Sequence, residues 1–128
     1  MTDEICIHVC TTCRGPNGPA EKELRPGAML HRALMEAFGA ADAPRVRIEP
    51  VECLSVCKRP CTVAVSAPGR WTYIYGDLDP ETSAETILDG VRRYADTADG
   101  VVPWRERPAA FRKGVIARLP PLKTSSAA

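Results

Sequence analysis

The sequence predicts an α/β fold, a sheet of four strands covered by helices on one face. Three observations carry that reading. Two stretches with the period-2 alternation of half-buried strands, Glu4–Cys10 and Arg45–Glu49, flank a stretch with helical periodicity. Two β-branched or aromatic runs, Thr62–Ser66 and Trp71–Tyr75, are separated by a Pro-Gly turn. A capped amphipathic segment follows from Asp79.

Each element has its own justification. In the first strand Ile5, Ile7 and Val9 alternate with Cys6, His8 and Cys10, so one apolar face is expected. Arg14 to Pro19 is rich in turn formers and ends the regular structure after Cys13. Pro26 suits a first helical position. Leu30, Ala33, Leu34, Ala37 and Phe38 then form one buried stripe, with Gly39 placed to close the helix. The helix between them makes strands one and two parallel, in a βαβ unit. Ala67-Pro68-Gly69-Arg70 has Pro and Gly where a type II turn wants them. Asp79-Pro80-Glu81 starts the second helix, whose stripe is Ala84, Ile87, Leu88, Val91 and Ala95. Gly90 costs that helix about 1 kcal/mol relative to Ala.

A chain of 128 residues makes one domain. Residues 1–102 are expected to form the main body of the domain. Residues 103–128 are expected to be a basic extension of the same domain, with an apolar plug at Val101–Trp104, a short helix from Pro108 to Ile116 and a disordered end. The body carries eleven Lys and Arg against fifteen Asp and Glu, the extension six against one. A net charge of +1 gives no general case for nucleic acid or membrane binding. The start is acidic and no apolar run approaches the ~20 residues of a membrane span, so a cytoplasmic protein is expected.

In a reducing compartment, six cysteines point to metal or redox chemistry rather than disulfides. Cys10 and Cys13 form one cluster, Cys53, Cys57 and Cys61 a second, at every fourth position. Parallel strands bring their carboxyl ends to one sheet edge, where open α/β sheets bind ligands, so Cys10, Cys13, Cys53 and Cys57 are expected to converge. Four thiolates suit zinc or a two-iron cluster, and Arg14, Lys58 and Arg59 would stabilise the negative charge. Cys61 is an additional candidate ligand. Cys6, in mid-strand, is expected to be a packed thiol. A thiol–disulfide oxidoreductase using Cys10 and Cys13 is the alternative outside metal binding. No Walker loop, Rossmann fingerprint or nucleophile elbow is present, so chemistry on an organic substrate is unsupported.

Cys53-Leu54-Ser55-Val56-Cys57, followed by Pro60 and a strand, resembles the thioredoxin-like [2Fe-2S] ferredoxins, a group that includes a small peripheral subunit of respiratory complex I. The resemblance implies a thioredoxin-like β-α-β-β-β-α fold with the C-terminal extension packed on it. It also implies a [2Fe-2S] centre held by Cys10, Cys13, Cys53 and Cys57; zinc stays the alternative that four thiolates allow, and an unknown redox or metal-delivery protein is the expected partner. The first pair, spaced C-x2-C, is tighter than in those ferredoxins, and Cys61 is extra to their motif. Over nearly its full length the chain also resembles domain of unknown function 1636, a family described as predicted metal-binding proteins. The matching pieces are Val9–Arg14, Gly69–Tyr73 with Gly76–Pro80, and Val102–Arg105. The less covered sheet face is a candidate homodimer surface.

Overall fold

A computed structural model describes residues 5–11, 25–40, 46–55 and 59–121. Five strands and three helices are present among them: β1 (Ile5–Cys10), α1 (Pro26–Ala40), β2 (Val46–Val51), β3 (Val63–Ser66), β4 (Thr72–Tyr75), α2 (Ser83–Ala95), α3 (Ala109–Gly114) and β5 (Val115–Leu119). The sheet order is β2-β1-β3-β4-β5. β1 and β2 are parallel, as a βαβ unit requires, and all other neighbours are antiparallel, with β3 and β4 joined as a hairpin.

One face of the sheet meets the helices. Ile5, Ile7 and Val9 of β1, Val63 and Val65 of β3, and Tyr73 and Tyr75 of β4 pack with Leu30 and Leu34 of α1 and Ile87, Val91 and Tyr94 of α2. That is the face the alternation assigned to the core. The Pro68-Gly69 turn has Gly69 at φ 72 and a bond from the Arg70 N–H to the Ala67 carbonyl, the geometry of a type II turn. Arg70 then turns inward. It donates to the carbonyls of Tyr94 and Ala95, so a cation closes the negative end of α2.

The C-terminal segment differs from its sequence reading. The helix expected over Pro108–Ile116 stops at Gly114, and the chain enters a fifth strand paired antiparallel to β4. The extension therefore completes the sheet rather than only lying on it. Phe111 stacks on Tyr75 with ring centroids 3.8 Å apart and seats on Gly90, where a Cβ would meet the ring. At the other helix boundaries, Gly39 lies inside α1, and α2 begins at Ser83, after a turn in which the Glu81 N–H donates to the Asp79 carboxylate. No helix among the described residues is long and apolar enough to cross a membrane.

Candidate metal centre

The carboxyl ends of β1 and β2 lie side by side, with Cys10 in register with Val51. The Thr11 N–H and hydroxyl both donate to the Val51 carbonyl, at 2.8 and 3.1 Å, tying the two strand ends together just beyond the pairing. Cys10 is buried, and its thiol reaches the Glu52 carbonyl at 3.7 Å. The start of α1 presses on the same spot. A Cβ on Gly27 would collide with the Cys10 carbonyl oxygen, so only glycine allows the helix this close.

Cys53 follows β2 by two residues and is exposed. Ser55 adopts φ 62, a left-handed conformation unusual for a residue with a Cβ. Its N–H donates to the Cys53 sulfur at 3.2 Å. A backbone donor aimed at sulfur stabilises negative charge there. Cys13 and Cys57 lie outside the described residues, as do Arg14 and Lys58. Among the described residues, no group of three or more potential ligands surrounds one point.

Cys61 is placed differently from Cys10. It precedes β3 and belongs to the hydrophobic core, held by reciprocal backbone bonds with Leu78 at 3.1 Å. Burial first, then the negative charges of Asp79 and Cys10, push its thiol up to about 11. A neutral thiol in an apolar setting is what results. Cys6 lies in β1, among the buried residues, and away from this end of the sheet.

A pairing that the motif reading did not foresee holds the second cysteine segment. Arg59 pairs with Asp77 at 2.7 Å, and the Asp77 N–H returns a bond to the Arg59 carbonyl at 3.0 Å. The Thr62 hydroxyl donates to that same carbonyl. Asp77 sits at φ 58, so its backbone is bent to make this two-point grip. The sequence signal was present, since Asp77 follows Gly76 in the conspicuous run Gly76–Pro80, but nothing local pairs it with Arg59.

The family whose pattern matches residues 7–121 is described as Protein of unknown function (DUF1636). The chain belongs to this family. No curated protein matches it. Among solved structures, it is similar to a thioredoxin-like [2Fe-2S] ferredoxin from Aquifex aeolicus, at 21% identity and TM-score 0.59, over 96% of this chain and 100% of that one. The wild-type form of the Aquifex protein in a second structure gives 20% identity and TM-score 0.54, over 91% and 99%. A cysteine-to-serine variant gives 19% and 0.57, over 88% and 98%. The DUF1636 chain thus has a thioredoxin-like ferredoxin fold.

Proposed function

We propose that this DUF1636 protein is a [2Fe-2S] ferredoxin-like electron carrier, its centre held by Cys10, Cys13, Cys53 and Cys57. One observation carries the reading: on a ferredoxin-like fold, two parallel strands deliver Cys10 and Cys53 to adjacent positions at one sheet edge. The donor chemistry fits, because thiolate sulfur suits iron–sulfur clusters. Such a cluster, when bound, supplies a one-electron couple.

The chain's own residues do the rest. Cys10 is set by the strand pairing and by Gly27, which brings the positive end of α1 against its backbone. Ser55 orients Cys53 and lowers the cost of charge on its sulfur. The Arg59–Asp77 grip fixes the segment that follows Cys57. Cys61, whose neighbour Thr62 accepts the Cys10 N–H, is the spare ligand candidate. Arg112 and Lys113, at the end of α3, come to the same sheet edge through the bond between the Gly76 N–H and the Gly114 carbonyl. They suit a redox protein partner with acidic groups. The protein works in the cytoplasm, without an organic substrate of its own.

The test is metal and acid-labile sulfide analysis on protein purified without air. Iron and sulfide at about two per chain are expected, with visible bands that bleach on reduction. Cys53→Ser and Cys57→Ser should each remove most of the iron, while Cys6→Ser keeps it. Zinc at about one per chain without colour would replace the reading with a zinc module. A metal-free protein cycling a Cys10–Cys13 disulfide would replace it with an oxidoreductase.

A further inference from the structure

β2 is the outer strand of the sheet, and among the described residues β1 is its only strand neighbour. The Thr11 N–H donates to the Val51 carbonyl, so Val51 turns its backbone groups toward β1. Alternation along the strand turns those of Arg47 and Glu49 the same way, and those of Val46, Ile48 and Pro50 outward. Pro50, which has no N–H, thus stands where no bond to β1 is lost. The side chains divide by face. Val46 and Ile48, in register with Ile5 and Ile7, lie on the helix side. With Met35, Phe38 and Gly39 of α1, and with Arg47, they line a cavity of about 350 Å³ along this edge. Met35 is 52% exposed there. Arg47 and Glu49 stand on the other face, paired at 3.0 Å with half-exposed side chains.

A strand edge beside apolar surface is a template for another strand, and the charges along it decide which strand fits. Here the charges are antisymmetric about Ile48, with arginine before it and glutamate after it. Parallel self-pairing in register would set Arg47 against Arg47 and Glu49 against Glu49, which is repulsive. Antiparallel self-pairing centred on Ile48 sets each Arg47 against the Glu49 of the other copy, which is attractive. We propose that β2 is a self-pairing edge, on which a second copy of this chain adds its own β2 antiparallel, about a twofold axis at Ile48.

This register satisfies the backbone as well as the charges. The two Ile48 residues exchange N–H···O bonds, and each Val46 N–H donates to the Pro50 carbonyl of the second copy. Arg47 and the second copy's Glu49 then form a non-hydrogen-bonded pair, the kind in which side chains lie closer. The missing N–H of Pro50 ends the pairing. The contact is isologous, so it uses up both β2 edges and closes at two copies. It also brings the two helix-side grooves together and covers Met35. Because the paired strands run in opposite directions, the two Cys53 segments lie at opposite ends of the pair. The contact thus falls at the edge of the sheet rather than on its less covered face.

Sedimentation velocity on the full chain over a range of concentrations is expected to show a monomer–dimer equilibrium. Arg47→Glu and Glu49→Arg each turn both cross-strand pairs into like charges, and each should raise the dissociation constant about tenfold or more. An equimolar mixture of the two variants restores opposite charges at every pair and should dimerise as the wild type does. Met35→Glu, on the helix side, should weaken the dimer by a similar factor. The Ile48 amide should exchange more slowly in the dimer than in the dilute monomer. Far-ultraviolet circular dichroism checks that each variant is folded. A wild-type chain that stays monomeric, or a mixture of the charge variants that does, would overturn the proposal. So would a dimer indifferent to Met35→Glu with an unprotected Ile48 amide, which would put the contact on the sheet face turned away from the helices. The readout involves no metal, so it stands or falls separately from the ferredoxin reading.

Discussion

Gly90 changes meaning between sequence and structure. As a residue in mid-helix it is a cost of about 1 kcal/mol, and Ala there should stabilise α2. The structure places the Phe111 ring where the new methyl would go, with Cδ2 at 2.7 Å. That ring cannot swing aside freely, since its other face lies on Tyr75. Overpacking of this kind costs about 1–3 kcal/mol, which exceeds the helix gain. Gly90→Ala is therefore expected to lower the urea midpoint, and Phe111→Leu in the same chain to recover part of the loss. An increased midpoint for Gly90→Ala alone would mean that the ring is not seated as described. No pattern local to α2 could reveal a partner twenty-one positions downstream. Arg70 and Gly27 were opaque for the same reason: one closes a helix in a distant segment, the other touches a strand end. The places of Cys10 and Cys53 at the carboxyl ends of β1 and β2 were legible because strand position is a local property.

At the scale of elements, β4 shows how an aromatic stripe becomes an alkaline limit. Tyr73 stacks on Tyr75 and meets Tyr94 of α2 edge to face. The Tyr94 hydroxyl donates to the Trp71 carbonyl at 2.6 Å. Burial raises the Tyr94 phenol to about 12 against an ordinary 10.0, despite the opposing charge of Arg70, and burial raises Tyr75 too. The unfolded chain thus loses these protons at lower pH than the folded one. The stability they contribute is complete below pH 10 and is lost as pH rises toward 12. Phenolate absorbance from these tyrosines should appear together with loss of circular dichroism, whereas Tyr94→Phe should show a shallower loss between pH 10 and 12. Phenolate that grows in while the fold is intact would contradict their burial. The stripe itself was visible in the sequence as Trp71, Tyr73 and Tyr75 on one strand face. β5 was not: most of it is exposed at a sheet edge, so its apolar residues show no period-2 contrast, and the helical pattern of α3 runs into it.

For the whole molecule, the order strand–helix–strand–strand–strand–helix was legible because each of those elements buries one face and repeats accordingly. What escaped was the dependence of that body on residues after Val102. The last segment supplies β5 against β4, the Phe111 ring over Tyr75 and Gly90, and an Arg107 guanidinium that bonds both the Val102 carbonyl and the Tyr73 hydroxyl. Without it, β4 becomes an edge with unpaired backbone groups, and its two buried tyrosines face water. A chain ending at Val102 is expected to lose its cooperative thermal transition and to bind a hydrophobic dye while keeping much of its helical signal. Adding a peptide of residues 103–121 should restore the transition in a concentration-dependent way, since binding only the folded body shifts the equilibrium toward it. A truncated chain that melts like the full one would make the extension a separate appendage. The proposed metal centre would be sensitive to the same cut, because the Gly76–Gly114 bond and the reach of Arg59 to the Lys113 carbonyl link the extension to the second cysteine segment. Loss of the fold and loss of bound metal should therefore occur together in the truncated chain, and both should return with the peptide.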